Sequence, residues 1–415
     1  MADKRKEPVT RLLEYLRFRT VSGEGPRGSY EQVFSPVANK PVVLATWFGE
    51  DPSLPGILLN SHYDVVPVME EHWEHDPFDA KVLDDGRIYG RGAQDMKSVG
   101  IQYVEAVHKL KASLPGFTPK RNVYLLYVPD EEIGGVQGMQ ELLVHEEFKK
   151  LQPIAFALDE GLANPEDAFT VFYGERTGWP LYITATGPTG HGSRFIKDTA
   201  TSKLVAVCNK VLAFRDEQER LLNLGGGCKH GELKKRKLGD VTTVNLTVLH
   251  SGVSSDGGKT HALNVIPTKA VAAFDIRIAP HMDLNEFRAT VDKWCAPEGV
   301  TWAFSRRLKK PFLQHYTTPL DDGNVWWKLF QGSCEKLGVA IEAEVFPAAT
   351  DSRFLRQLGI PALGFSPMNN TEILLHEHNE NLDKDVFLRG IDVYATILQD
   401  LFSYDEGEKK RVVGP

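Results

Sequence analysis

Five places in the 415-residue chain set imidazole or carboxylate side chains just beyond short apolar runs or at the mouth of a helix. They are His62 and Asp64 after GILLN, Asp95 before an amphipathic stretch, Glu131 and Glu132 after VYLLYV, Glu160 after IAFAL, and His376, His378 and Glu380 in LLHEHNE. Carboxylates brought together repel one another and resist ionisation, and a divalent cation is the ordinary way to offset that repulsion. Imidazole and carboxylate without thiolate suit zinc or another first-row ion better than an iron–sulfur centre. His62 and Asp64, two apart on an extended segment, face the same way, so Asp64 can hold the second ring nitrogen of His62. The adjacency of Glu131 and Glu132 lets one bind metal while the other faces a water. Each group also has a plainer reading. His62 could be a buried, hydrogen-bonded histidine, Asp64 and Asp95 caps, Glu131 and Glu132 a solvated acidic turn, and His376 with His378 a surface cluster.

The elements that must position these groups follow from apolar periodicity. Val9 to Phe18, Met96 to Ala112 and Gly138 to Phe148 read as helices, and Pro41 to Thr46, Gly56 to Asn60, Val123 to Val128 and Ile154 to Leu158 as strands. This alternation predicts an α/β sheet covered on both faces, and such sheets bind ligands beyond their strand ends. After Trp179 the texture becomes α+β: Leu181 to Ala185, Val241 to Leu249 and Val271 to Ile278 read as half-exposed strands, Thr201 to Phe214 and Leu284 to Trp294 as helices. Leu224 to Asp240, rich in glycine and charge, reads as a surface insertion. From about Pro311 the first pattern returns in Trp326 to Leu337, Ile341 to Phe346, Phe354 to Leu358, Ala362 to Gly364 and Val386 to Leu401, and Glu406 to Pro415 reads as a frayed tail. The expected organisation is a catalytic domain in two segments, 1–178 and 311–415, enclosing a middle domain, 179–310.

Composition removes several alternatives. Lys and Arg number 48 against 56 Asp and Glu, a net charge of −8, which disfavours general binding to nucleic acid or an anionic membrane. The compact basic run Lys234 to Lys237 reads as a solvated loop. No stretch approaches a membrane span and no apolar signal segment opens the sequence, so the expected location is cytoplasmic. Cys208, Cys228, Cys295 and Cys334 form no CxxC pair, and the sequons at Asn245 and Asn369 read as chance in that compartment. The sequence has no GxSxG elbow, and Gly134-Gly135 and Gly225 to Gly227 lack the GxGxxG order after a strand, which disfavours serine-nucleophile and dinucleotide chemistry.

SHYDVVP (Ser61 to Pro67), RGAQDMK (Arg91 to Lys97), PDEEIGG (Pro129 to Gly135), LDEG (Leu158 to Gly161), GHGS (Gly190 to Ser193) and LLHEHNE (Leu374 to Glu380) together resemble the M20 metallopeptidase family. The resemblance spans nearly the whole chain and is strongest to the N-acyl-L-amino-acid amidohydrolases. It implies a zinc-exopeptidase-like mixed sheet flanked by helices, with an inserted α+β lid and dimerisation domain. It implies two zinc ions per subunit: His62, Asp95 and Glu160 on one, Glu132 and His376 on the other, with Asp95 bridging. Glu131 is then the general base and Asp64 the partner of His62, and His378 is left out of the ligand set. His191 would stabilise the oxyanion from the second subunit of a homodimer. Asn264 and Arg277 would be polar groups on the lid side, and Arg353 would hold the substrate's free carboxylate. The reaction implied is zinc-dependent hydrolysis of an N-acyl-L-amino acid to a carboxylate and a free L-amino acid, with a dipeptidase or carboxypeptidase, or a noncatalytic binding protein, as alternatives. The resemblance also implies a further helix and strand between Tyr30 and Pro41, for which this chain is too short; apolar surface at that edge is the expected consequence.

Overall fold

The computed structural model describes residues 6–22, 34–224, 236–305 and 312–405. The readings on Tyr30, on Cys228, on Lys234 and Lys235 of the basic run and on the tail beyond residue 405 fall outside the described residues. The chain divides into two compact units: Met1–Tyr173 with Thr317–Glu344 and Thr350–Pro415, and Gly174–Tyr316 with Val345–Ala349.

The first unit is built on an eight-stranded sheet in the order Phe34–Val37, Lys40–Trp47, Val123–Val128, Gly56–His62, Ile154–Asp159, Ala362–Phe365, Phe169–Glu175 and Ile341–Phe346. Four adjacent strands at its centre, from Val123–Val128 to Ala362–Phe365, run parallel. Gly56–His62 is buried at every position, the polar Asn60, Ser61 and His62 included, as a central strand covered on both faces should be. The helices Lys97–Ser113 and Lys384–Ser403 share the core of this unit, with Tyr103 against Tyr394 at 4.8 Å. Gly100 allows the first of them to lie close to the central strand, since a Cβ there would stand 2.7 Å from Ser61 Oγ. A small antiparallel sheet pairs Arg87–Tyr89 with Asn381–Asp383, Tyr89 opposite Asn381. That pairing brings the 90–95 loop beside the 376–380 loop, although nearly three hundred residues of sequence lie between them. On Lys40–Trp47, next to the edge strand, Val43 is exposed, as is Phe48 just beyond it.

The second unit is α+β. Its strands Thr243–Ser251, Lys269–Ile278, Leu181–Thr186 and Val300–Phe304 lie antiparallel in that order. The helices Ala200–Asn223 and Leu284–Trp294 contribute Leu204, Val207, Val211, Phe287 and Val291 to its core. A separate two-stranded arm pairs Gly190–His191 with Val265–Ile266.

Sequence and structure part at a few elements. Gly138 to Phe148 is two helices, Met139–Val144 and Glu146–Lys149, because His145 is extended and its Nδ1 accepts from Glu147 N to cap the second. The helix expected to end at Phe214 runs to Asn223, carried by the pairs Arg215–Glu219 and Arg220–Glu217. Lys269–Ile278 is mostly buried rather than half-exposed, because it has sheet neighbours on both sides.

Candidate dinuclear metal centre

Three of the parallel strands deliver ligands at their carboxyl ends. His62 closes Gly56–His62, Glu160 follows Ile154–Asp159, and Glu131 and Glu132 lie in the turn after Val123–Val128. Asp95 stands just before the helix Lys97–Ser113, and His376 adopts a positive φ of 62° in its loop. Two trios result, His62 with Asp95 and Glu160, and Asp95 with Glu132 and His376, the ligand atoms of each lying within 4.8 Å of one another. Asp95 divides its carboxylate between them: Oδ1 is 3.0 Å from His62 Nε2 and Oδ2 is 3.3 Å from His376 Nε2. Glu160 Oε2 lies 3.4 Å from His62 Nε2, and Glu132 Oε2 lies 3.0 Å from His376 Nε2.

The electrostatics describe a site that favours positive charge. Burial raises Glu131 and Glu160 well above the usual carboxylate range, and burial followed by Asp95 lifts Glu132 to about 7. Burial disfavours the charged form of His62, but Glu160, Asp64 and Asp95 outweigh it and hold the imidazole well above its ordinary value. Hydrogen bonds to Asp95 and Glu132 raise His376 to about 10. For Asp95, burial is outweighed by His376 and His62, which keep it ionised. Acidic neighbours therefore favour positive charge at both histidines. The all-nitrogen and oxygen donor set fits zinc, and three protein ligands per ion leave a position open for water or substrate. The arrangement fits a dinuclear zinc site, with Asp95 common to both trios.

The surrounding groups fix these ligands. The backbone carbonyl of Asp64 lies 3.0 Å from His62 Nδ1, and its Oδ1 lies 3.5 Å from the same nitrogen. The Asp64 carboxylate also accepts from Glu131 N at 3.1 Å, Glu132 N at 3.2 Å and Ser22 Oγ at 2.6 Å. One residue therefore orients both a histidine ligand and the acidic turn. Glu380, grouped in the sequence with His376 and His378 as a metal-type side chain, joins neither trio and is fully buried. Its Oε2 accepts from Arg91 Nη1 at 2.8 Å and Gly92 N at 3.0 Å, and its Oε1 from Gln94 N at 2.6 Å and Asp95 N at 3.1 Å. Sequence reasoning missed Asp159; it accepts from Glu160 N at 2.9 Å, Asn60 Nδ2 at 3.0 Å and Ser352 Oγ at 2.8 Å.

The remaining expected residues fall in different surroundings. Arg353 Nη1 is 3.9 Å from Glu131 Oε1, so a carboxylate-binding fork stands beside the expected base. His378 turns away from the metal trios and packs its ring 5.0 Å from His72. In the second unit, His191 is exposed, with Nδ1 2.7 Å from Ser193 Oγ, and Gly192 N donates to Asn264 O at 2.7 Å, so His191 and Asn264 share the arm. Arg277 engages Asp275, two residues earlier on the same strand, through two bonds of 2.8 and 3.1 Å.

A shared carboxylate, two histidines and an uncommitted buried glutamate, gathered beyond the strand ends from strands, a helix start and a loop, define a metal-dependent hydrolase. Residues 58–400 match the model of peptidase family M20/M25/M40, and the chain belongs to that family. Aminoacylase-1 of Mus musculus is 50% identical over 364 residues, covering 87% of this chain and 84% of that protein. Aminoacylase-1 of Dictyostelium discoideum is 45% identical over 417 residues, covering 96% and 98%. Among solved structures, aminopeptidase PepT from Bacillus cereus shares the fold at a TM-score of 0.68 and 13% identity, covering 96% of this chain and 99% of that one. No helix among the described residues is long and apolar enough to cross a membrane.

Proposed function

We propose that the protein hydrolyses N-acyl-L-amino acids to a carboxylate and a free L-amino acid. The observation that carries this reading is the 45–50% identity, over most of both chains, to relatives named aminoacylase-1. His62, Asp95, Glu132, Glu160 and His376 would hold two zinc ions, which would polarise the amide carbonyl and make a water more acidic. Glu131, not needed as a ligand, takes the proton of that water as its oxygen attacks the carbonyl carbon. It then returns the proton to the departing amine as the C–N bond breaks. Burial keeps this carboxylate basic enough for both transfers. Arg353 pairs with the free α-carboxylate of the substrate and so fixes which amide meets the metals, a task suited to its planar fork.

His191 supplies a donor to the developing oxyanion from the second subunit of a homodimer, with Asn264 and Arg277 as polar neighbours of the substrate. The exposure of His191 on a short arm supports this reading. The 1–178 and 311–415 segments act as the catalytic domain, and 179–310 as lid and dimerisation domain. Cys208, Cys295 and Cys334 are free and buried, which supports work in a reducing compartment, the cytoplasm. Hydrolysis of a panel of N-acetyl-L-amino acids beside matched dipeptides, with zinc-depleted and zinc-restored protein, tests the assignment. Zinc-dependent turnover of the N-acetyl compounds is expected; preference for the dipeptides would move the activity to the peptidase branch.

A further inference from the structure

We infer that Lys40 is a positioning residue for the hydrolytic site: paired with the buried carboxylate of Asp130, it fixes the turn that presents Glu131 and Glu132. The inference rests on the hydrolytic reading for its activity readout alone. Lys40 begins the strand Lys40–Trp47, which runs antiparallel to Val123–Val128 with Trp47 opposite Val123 and Val43 opposite Tyr127. Continued three residues past that pairing, the register sets Lys40 across from Asp130. Its Nζ donates to Asp130 Oδ1 at 2.5 Å, with 17% of the lysine side chain and 3% of the aspartate side chain exposed.

Asp130 is an unusual hinge for the turn. It sits in the left-handed region, φ 65° and ψ 18°, which non-glycine residues seldom occupy. Its carbonyl accepts from Gly135 N at 2.7 Å and Ile133 N at 3.4 Å, closing the loop around the two glutamates. Its Oδ2 is buried without a hydrogen bond, so the Lys40 ammonium carries the compensation for this carboxylate. From the other side, Asp64 draws in the N–H groups of Glu131 and Glu132. The turn is therefore gripped between Asp64 and the Lys40–Asp130 pair. The grip on Lys40 is itself firm, because Tyr63 OH donates to Pro41 O at 2.9 Å and Phe34 stacks on His145 at 5.5 Å. Loss of the ammonium would leave a buried charge uncompensated. The Asp130 backbone, and with it Glu131 and Glu132, would shift to relieve it.

The test compares K40M, K40R, D130N and K40M/D130N in the full chain. K40M is expected to lower kcat by about 10-fold or more while KM changes less than about 2-fold, because the base is displaced rather than the substrate contacts. Competition with a chelator is expected to show the weaker of two zinc sites loosened by about 10-fold. K40R should recover most of both losses, and K40M should add nothing in the D130N background, where no charge remains to compensate. The zinc competition needs no turnover, so a wild-type protein inactive on N-acyl-L-amino acids would sink the proposed function and leave this readout intact. Unchanged kcat and unchanged zinc affinity in K40M would overturn the inference, as would additive losses in the double variant or failure of K40R to recover either. If K40M did not accumulate folded, wild-type kcat and wild-type zinc affinity in D130N would overturn it equally.

Discussion

Replacing Glu380 with glutamine tests how the bridging ligand is held. Each oxygen of this carboxylate accepts two bonds: Oε2 from Arg91 Nη1 and Gly92 N, Oε1 from Gln94 N and Asp95 N. A glutamine amide in the same place must set its NH2 group against one of these donor pairs, whichever way it is turned. Two donors then lose their acceptor, at about 1–3 kcal/mol each. Arg91, with a side chain only 2% exposed, also loses its counter-charge. These effects overlap, and the total expected for breaking a buried pair from one side is about 3–5 kcal/mol. For a unit of this size each kcal/mol lowers the melting temperature by about 2–4 °C, so a fall of roughly 6–20 °C is expected in E380Q. Because Asp95 N is one of the four donors, the variant should also bind less zinc. Calorimetry of the metal-free and zinc-loaded forms, with metal content measured on the same samples, gives both quantities. Melting within about 2 °C of wild type together with a full complement of zinc would refute the reasoning.

The Glu131→Gln substitution should reduce kcat by about 10²- to 10⁴-fold and leave zinc content unchanged, whereas parallel loss of zinc would make Glu131 a ligand rather than the base. His191→Asn should slow the chemical step by about 10²-fold or more; mixed dimers of His191→Asn and Glu131→Gln subunits should regain activity if His191 works across subunits, and no recovery would count against that. The metal-free protein should lose stability as pH rises. A histidine raised from 6.5 to about 10 contributes its full stabilisation below 6.5 and loses it on the way to 10, and Glu132, raised from 4.5 to about 7, costs stability as pH climbs through that interval. Zinc must displace the His376 proton, so the melting gap between loaded and metal-free protein should widen from about pH 6 to about pH 8.5, and a narrowing gap would contradict the proton-for-metal exchange.

The residues at strand ends were the legible part of the site. Parallel central strands are short apolar runs, and His62, Glu160 and the Glu131–Glu132 pair each stand directly beyond one, so local sequence located them without tertiary information. Asp95 could be read equally as a helix cap, because the same carboxylate position serves either role. His376 and Glu380 belong to a loop whose place depends on the pairing of Asn381–Asp383 with Arg87–Tyr89, a contact too distant in sequence for periodicity to reveal. The Lys40–Asp130 pair was hidden for a related reason: it follows from the register between two strands about eighty residues apart. The break at His145 was missed because helical periodicity continues across it, whereas the cap is made by a ring nitrogen. Asp64 was legible as a partner of His62, but its carboxylate contacts with the Glu131–Glu132 backbone arise only once the two strand ends lie side by side.

Zinc anomalous diffraction from crystals of the loaded protein measures the central claim most directly. Two peaks are expected about 3.5–4 Å apart, one against His62 and Glu160, the other against Glu132 and His376, with an oxygen of Asp95 on each. A single peak, or two that do not share Asp95, would contradict the dinuclear site on which the chemistry depends.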